Sequence, residues 1–284
     1  MALKRVNEIK RYTSVNTIEL KPNEGEALRV KKIEVKASTD PTYMEIDIGK
    51  STVGYFPVYV DGVEFFATSK LGQTTKNLFD VLKEHGVDLV YPVASGESFI
   101  LKFTKTVDYV RVIYDVYEAG DVNPTEVNGS KADMLTYAAI LTNVNPITTP
   151  DWYTLDKLLN PPEMPDFPTG IVPSGYRITV HSIGVIPQLE GTSPDTAETD
   201  YLRLWYRRQV LFDPDRNGFK ISTTINELPP IEQNNEKMVF FGQELTFIEG
   251  DELNVQVKVN ISGDGSLSAE KVKVIMLQTM SPLR

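Results

Sequence analysis

A short segment in the second half of the chain carries the most specific chemical motif in the sequence. It reads Asp213-Pro214-Asp215-Arg216-Asn217-Gly218. Calcium loops begin in this way because oxygen ligands at alternate positions converge on a hard cation and the glycine permits a sharp turn. The twelfth position is Thr224, where a calcium loop has a bidentate glutamate. Asp213, Asp215 and Asn217 are therefore candidate calcium ligands, and a plain turn between two strands is the alternative.

Other reactive groups are scarce in this chain of 284 residues. It has no cysteine and two histidines, His85 and His181, which excludes disulfides, thiol catalysis and thiolate metal sites. We interpret His85 as a helix residue and His181 as a strand residue. The motifs G-x-S-x-G and G-x-G-x-x-G do not occur, so neither a serine hydrolase nor a dinucleotide site is indicated. We predict no catalytic residue and no small-molecule substrate.

Two further types of side chain leave alternatives open. Glycoside hydrolysis needs only two carboxyl groups about 5 to 10 Å apart, and the chain has 39 acidic residues. Trp152 and Trp205, together with 13 tyrosines and 12 phenylalanines, are also able to form a platform on which sugars stack. Aromatic residues at alternating strand positions are more often core or interface residues.

Charge is distributed unevenly along the sequence. The net charge is −10 and the pI is near 4.9, which argues against a general nucleic-acid binder. The first twelve residues nevertheless carry four basic side chains, Lys4, Arg5, Lys10 and Arg11. Ala2, Leu3, Val6 and Ile9 recur at helical spacing, which predicts a short amphipathic helix or arm, and a frayed terminus is the alternative. Any contact with an anionic partner is expected at these four basic residues.

The elements that must position these side chains are mainly strands. Apolar and polar residues alternate with period 2, which is typical of antiparallel sheets that rest one face on a core. In the first half the pattern covers 28–35, 44–48, 99–103 and 110–116. In the second half it covers 176–180, 202–206, 239–241, 245–248, 253–259 and 272–276. The sequence therefore predicts an all-β protein.

Few helices are predicted, and they fall between strands. Thr74 to His85 has apolar residues on one face, and capping signals begin further helices at 130–141 and 149–159. The segment 160–173 contains five prolines, which favours a linker rather than a helix or a central strand.

The two halves of the chain resemble each other. In each half an apolar run, a glycine turn with an acidic residue and two alternating strands follow in the same order, at 91–114 and 247–276. We interpret this as two tandem antiparallel β-sandwiches, although any two sandwiches would show similar hairpins. The predicted organisation is a basic N-terminal arm (1–22), a first β-sandwich (23–122), a helical and proline-rich connector (123–173) and a second β-sandwich (174–284).

This plan resembles that of the double jelly-roll capsid proteins of tailless icosahedral viruses of bacteria and archaea. The resemblance extends over residues 23–284 and rests on architecture, size and repeat, not on a sequence motif. It implies jelly-roll domains side by side, trimers that tile a shell, and a basic arm that faces the genome or an internal membrane. About six strands per half are recognisable where a jelly-roll has eight. A decoration, spike or tail protein therefore fits the sequence equally well.

From the residues and the resemblance we expect a non-enzymatic virion structural protein that assembles with itself, as a homotrimer or a higher assembly, and with other virion proteins. No cofactor is expected apart from calcium at the motif described above. The sequence shows no signal peptide and no apolar run long enough to span a membrane, so we expect synthesis in the host cytoplasm and a place in the virion. The alternatives are a glycan-binding, adhesin-type module and a carboxylate-dependent glycosidase.

Overall fold

The computed structural model describes residues 3–60, 63–67, 77–84, 89–119, 131–138, 146–155, 172, 174–186, 189–192, 194–206, 209–211, 238–268 and 273–283. Sixteen of the elements in these ranges are β-strands and one is a short α-helix, which confirms the all-β prediction. None of the helical structure in these ranges is long and apolar enough to cross a membrane. The chain divides into two compact units, 1–134 with 230–236, and 135–229 with 237–284.

The first unit contains most of the long strands. In chain order its elements are β1 (Leu3–Leu20), β2 (Glu26–Lys36), β3 (Thr42–Ile48), β4 (Ser51–Val60), β5 (Val63–Glu64), α1 (Leu78–Glu84), β6 (Tyr91–Val93), β7 (Phe99–Glu118) and the start of β8 (Lys131–Ala138). The order of neighbouring strands is β8-β4-β3-β7-β2-β6, with β5 beside β4. All of these pairs are antiparallel except β4 with β8.

Strand β7 uses both of its edges for pairing. Along one edge it pairs with β1 from Phe99 to Tyr117. Along the other edge its first part pairs with β3 and its second part with β2. The two patterns that the sequence shows at 99–103 and 110–116 therefore belong to one strand of 20 residues.

A bend in β7 allows the same edge to pair first with β3 and then with β2. Phe99, Leu101 and Phe103 are buried before the bend and Val110 and Val112 after it, so the buried side changes from odd to even residue numbers. Residues 104–106 are exposed, but Val107 is buried on the odd-numbered side, so the change of side falls between Val107 and Val110. An extra residue in a strand produces such a change, as in a β-bulge, and it keeps the apolar side chains on the core side.

Strand β1 bends together with β7. Its register shifts between Val15 and Thr17, and Ser14 has a positive φ of 52°. The Tyr12 hydroxyl donates a hydrogen bond to the Glu19 carbonyl at 3.1 Å, although seven residues of straight strand span about 23 Å. The chain therefore turns back sharply between these two residues.

An aromatic series fills the core of the first unit. Ring centroids lie 5.8 Å apart for Phe56 and Phe66, 5.9 Å for Phe66 and Phe79, and 6.4 Å for Phe79 and Tyr91, all edge to face. Buried Asn77 joins α1 to this core. Its Oδ1 accepts a hydrogen bond from the backbone N–H of Phe79 at 2.9 Å, as a helix N-cap does. Its Nδ2 donates to the carbonyl of Ile33 at 2.8 Å.

The second unit contains two groups of strands. One has the order β14-β10-β16 and the other β11-β12-β15-β9, with β13 beside β12. The bounds are β9 (Asp151–Thr154), β10 (Tyr176–Ile186), β11 (Leu189–Thr192), β12 (Asp195–Tyr206), β13 (Gln209–Leu211), β14 (Met238–Ile248), β15 (Leu253–Ser262) and β16 (Lys273–Pro282). All of the predicted strands of this half lie within these elements, except that Val272 is outside the described residues.

Two predicted helices are wrong. Residues 131–138 form β8 and residues 151–154 form β9. Met-Leu-Thr-Tyr in β8 and Trp-Tyr-Thr in β9 are rich in the β-branched and aromatic residues that fit a pleated surface. Strand β9 also pairs with β15, and a sheet partner outweighs the weak preference that a capping signal supplies. The remaining residues of both predicted helices lie outside the described residues.

The other connecting segments are described only in part. Helix α1 confirms the last part of the helix predicted at 74–85, and His85 itself lies outside the described residues. Of the proline-rich segment only Val172 is described. It is buried, and it exchanges backbone hydrogen bonds with Gly250 and Asp251.

Phe66 provides a test of the core. It is fully buried between Phe56 and Phe79, so Phe66→Ala leaves a cavity and is expected to lower the free energy of unfolding by about 3 to 5 kcal/mol. Urea denaturation followed by circular dichroism measures the change. Ile248→Ala is the control, because Ile248 is 45% exposed and its truncation is expected to cost less than about 0.5 kcal/mol. Equal losses in the two variants would contradict the assignment of the core.

Candidate functional site

The N-terminal strand β1 is an edge strand with an unusual surface. Among the described residues it pairs with β7 and with no other strand. Its 18 residues therefore present one line of backbone N–H and C=O groups without a strand partner in the part of the chain that the structure describes. Such an edge is a template on which another strand can pair. The predicted N-terminal helix or free arm is wrong, because these residues belong to a sheet.

Apolar side chains on β1 point into solvent. Leu3, Val6 and Ile9 are 47%, 55% and 57% exposed. The described residues expose six large apolar side chains in all, so half of them lie within seven residues of one strand. Isolated exposed apolar residues are ordinary on a protein surface, whereas a group of them marks a surface for association.

The four basic residues predicted to meet an anionic partner all lie on β1, but they do not form one cluster. Arg5 donates two hydrogen bonds to the Glu26 carboxylate, both at 3.0 Å. Lys10 lies over the ring of Tyr12, 5.9 Å from its centroid, and Arg11 lies 5.2 Å from that of Tyr109. Lys4 is exposed. The positive charge of Arg5 is therefore already matched within the chain.

The contact between Arg5 and Glu26 changes the titration of both groups. The hydrogen bond from Arg5 lowers the pKa of Glu26, and Asn23 adds a second donor at 2.8 Å. The same hydrogen bond raises the pKa of Arg5. Glu26 is buried whereas Arg5 is exposed, so the pair fixes one end of β1 onto the start of β2.

A second contact holds the middle of β1. Asn7 has a positive φ of 54°, a conformation that asparagine tolerates better than most residues, and it occupies a bulge between Arg5 and Glu8. Its backbone N–H donates to Asp115 at 2.9 Å, and Lys31 donates to its side-chain oxygen at 2.8 Å. Lys31 also pairs with Asp115 at 2.8 Å. The paired edge of β1 is therefore fixed by specific side chains as well as by its ladder.

Acidic side chains elsewhere in the first unit are engaged in ion pairs. Lys102 lies 2.6 Å from Asp47 and 2.7 Å from Glu45. The hydrogen bonds that it donates to these carboxylates, to Asp47 above all, raise the pKa of Lys102. Glu34 accepts a hydrogen bond from Arg111 at 2.6 Å. These three carboxylates are therefore each held by a cation of the same unit.

The candidate calcium ligands Asp213, Asp215 and Asn217 lie outside the described residues. Within the residues that are described, no group of three or more histidine, aspartate or glutamate side chains is arranged to hold a metal ion. His181 lies in β10, as predicted, and its Nε2 is 2.8 Å from the Thr279 hydroxyl.

The two tryptophans lie in one sheet of the second unit, on the two strands that flank β15. Trp152 lies on β9 and Trp205 on β12, and both are half-buried. The guanidinium carbon of Arg203 lies 3.9 Å from the centre of the Trp152 ring, and Trp205 donates to Gln256 at 2.7 Å. Sequence analysis named the tryptophans but missed Arg203 and Gln256. The available signal was that Arg203 and Gln256 alternate with the buried residues Leu204, Val255 and Val257, which places them on the same outer face as the tryptophans.

The lowered pKa of Glu26 predicts a response to acid. Because this pKa is lower in the folded state, the contact with Arg5 stabilises β1 above the usual glutamate pKa of about 4.3. That stabilisation is lost as the pH falls through the folded-state value. Amide exchange of residues 4–10, corrected for intrinsic rates, is therefore expected to accelerate below about pH 4. In Glu26→Gln this acceleration should disappear, and an unchanged profile in that variant would contradict the assignment.

Comparisons with known proteins identify no family. No family model matches the sequence, and no curated protein matches it. Two crystal structures of BuGH86 in complex with neoagarooctaose, one of a variant and one of the wild type, are similar to the chain at 11% identity with TM-scores of 0.19 and 0.20. The alignments cover 98% and 99% of this chain and 33% of those chains. At such TM-scores the similarity carries no argument about the fold or the function of this protein.

Proposed function

We propose that this chain is a non-enzymatic virion structural protein that assembles with copies of itself. The observation that carries the proposal is β1, an edge strand that exposes Leu3, Val6 and Ile9. A second copy supplies the occupant of this edge, because a strand that pairs there satisfies the backbone groups and covers the apolar side chains together. The ordered pairing of β1 with β7 presents this edge in a fixed geometry.

The free energy expected from one contact between copies is modest, which suits an assembly in which the same contact is repeated many times. Complete burial of a Val, Leu or Ile side chain contributes about 1.5 to 3 kcal/mol. Because the three side chains are already about half buried, covering them contributes roughly 1 kcal/mol each. The contact therefore changes a dissociation constant by roughly a hundredfold, at 1.4 kcal/mol for each factor of ten.

The virion setting rests on the resemblance to double jelly-roll capsid proteins, and three properties of the chain support it. Apart from the parallel pair of β4 and β8, the described strands pair antiparallel in each of two compact units. The carboxylates Glu26, Glu34, Glu45 and Asp47 are held in ion pairs rather than arranged for proton transfer. Besides Arg5, which pairs with Glu26, residues 1–12 carry Lys4, Lys10 and Arg11 on a chain with a net charge of −10, so these cations attract the acidic remainder of a second copy.

The proposal predicts concentration-dependent assembly of the purified full chain through β1. Sedimentation velocity and negative-stain microscopy are expected to show oligomers. The double variant Val6→Lys with Ile9→Lys should raise the dissociation constant at least about tenfold, because two charges then replace apolar contacts. Since both residues are exposed, the circular dichroism spectrum should not change.

Ile248→Lys is the matched control, because it places a lysine at a similarly exposed apolar position in the second unit. It is expected to assemble like the wild type. A full chain that stays monomeric at every concentration and salt tested would refute the proposal. If both lysine variants assemble normally, the chain self-associates through a surface other than β1.

A further inference from the structure

The edge of β1 that faces away from β7 is regular over only a short part of its length. Asn7 and Ser14 have positive φ angles of 54° and 52°, which lie outside extended strand geometry. Between them the residues from Glu8 to Thr13 pair with β7 without a shift of register. We call these residues the central stretch of β1. A strand that adds to this edge is therefore expected to pair with the central stretch.

Two-fold symmetry restricts how the central stretch can pair with its own copy. In an antiparallel pair, opposite side chains lie on the same face of the sheet, and a two-fold axis perpendicular to the sheet leaves every residue on its own face. Because side chains alternate along a strand with period 2, the numbers of two opposite residues must have an even sum. One residue therefore lies at the axis, opposite its own copy.

Charge limits the choice of the residue at the axis. Glu8, Lys10 or Arg11 in that position would place two like charges directly opposite each other, which is destabilising. Tyr12 or Thr13 in that position would place no charge of the central stretch opposite a charge of the other sign. These five positions therefore gain nothing from cross-strand ion pairs.

Ile9 is the centre that the charges favour. With Ile9 at the axis, Glu8 of each copy lies opposite Lys10 of the other copy, so one contact contains two pairs of opposite charge. Lys10 is exposed. Glu8 lies 3.7 Å from Arg5, and the shorter contact of Arg5, at 3.0 Å, is with Glu26. Both charges of each pair are therefore placed to interact with a second copy.

The same register covers apolar surface. Ile9 is 57% exposed, the highest value among the exposed large apolar side chains of the described residues. At the axis two Ile9 side chains lie directly opposite, with Cβ atoms about 4.5 to 5.5 Å apart, so each covers the other. Because Glu8 and Lys10 alternate with Ile9, the ion pairs form on one face of the joined sheet and the apolar contact on the other.

We propose that β1 pairs antiparallel with β1 of a second copy, about a two-fold axis at Ile9. The pairing rests on the self-association proposed above, and it identifies the strand of the second copy that fills the edge. The sheet of the first unit then continues from one copy into the next. A contact that uses the same surface in both copies closes at two, so a larger assembly requires a second surface.

The composition of the chain makes the axis directly testable. The chain has no cysteine, so a single introduced thiol can form a disulfide only with its copy. Opposite residues of an antiparallel pair have Cα atoms about 4.5 or 5.5 Å apart, within the range of about 4.4 to 6.8 Å that a disulfide requires. Oxidation of the full-length Ile9→Cys variant with copper phenanthroline is therefore expected to give a covalent dimer on a non-reducing gel.

Thr13→Cys is the matched control, because Thr13 is an exposed residue of the same central stretch. With the axis at Ile9, Thr13 and its copy lie roughly 26 Å apart, at about 3.3 Å for each residue of strand. This variant should give at least about tenfold less covalent dimer under the same conditions. Similar yields from the two variants would overturn the proposal, because random collision does not distinguish two exposed positions of one strand.

Charge reversal tests the two ion pairs. Glu8→Lys or Lys10→Glu alone replaces both attractive pairs by repulsive ones, and each should raise the dissociation constant of the dimer at least about tenfold. The double variant restores two pairs of opposite charge and should return to within about threefold of the wild type. Lys83→Glu, at an exposed position of α1, changes the net charge as Lys10→Glu does and should dimerise normally. Sedimentation velocity measures all four variants.

The results separate this pairing from self-association in general. A double charge variant that dimerises as weakly as the single variants refutes the axis at Ile9. If the wild type forms oligomers but Ile9→Cys gives no covalent dimer, another strand of the second copy fills the edge, and the pairing of β1 with β1 is refuted while self-association stands. A wild-type chain that stays monomeric refutes both. Circular dichroism spectra identify any variant that fails to fold, and the double variant carries both local changes of the single ones.

Discussion

The first unit depends on the two hydrogen-bond ladders of β7. One strand of 20 residues supports β1 on one edge and, in succession, β3 and β2 on the other. This arrangement requires the apolar side of β7 to face the core on both sides of a bend. A shift of one residue in a strand moves every side chain to the opposite face. The change of the buried side between Val107 and Val110 is therefore the constraint that lets Phe99 and Val112 share one core.

The ladder with β1 has a consequence for the surface. Strand β1 covers one edge of β7 and is itself the edge strand within the part of the chain that the structure describes. Of its apolar side chains Ile18 and Leu20 are buried, whereas Leu3, Val6 and Ile9 are exposed. Bulges and lysines commonly protect such edges, and β1 has bulges near Asn7 and Ser14 as well as Lys4 and Lys10. Between the bulges, however, Glu8 to Thr13 pair without interruption, and Ile9 lies exposed within this regular stretch. Protection at both ends with an apolar centre favours a specific partner over indiscriminate pairing.

The same bulges explain what the sequence allowed us to predict and what it did not. Period-2 alternation predicted strands that rest one face on a core, such as β15, in which Val255, Val257 and Val259 are buried and the residues between them are not. The spacing of three between Leu3, Val6 and Ile9 indicated a helix, yet a strand with an inserted bulge residue gives the same spacing. The contact of Arg203 with Trp152 was equally hidden, because it joins residues 51 positions apart through two strand pairings. Local patterns report the face on which a residue lies but not its neighbour across the sheet.

The use of charge differs between the two units, and this difference bears on function. In the first unit carboxylates and cations pair within the sheet, so Glu26 has a lowered pKa and remains ionised at neutral pH, when a general acid would need its proton. In the second unit the guanidinium carbon of Arg203 lies 3.9 Å from the centre of the Trp152 ring. Because the charges of the first unit are paired within it, a partner of this unit is contacted mainly through the shape and the apolar area of its surface. The internally satisfied charges of the first unit therefore favour association at β1 through its exposed apolar side chains.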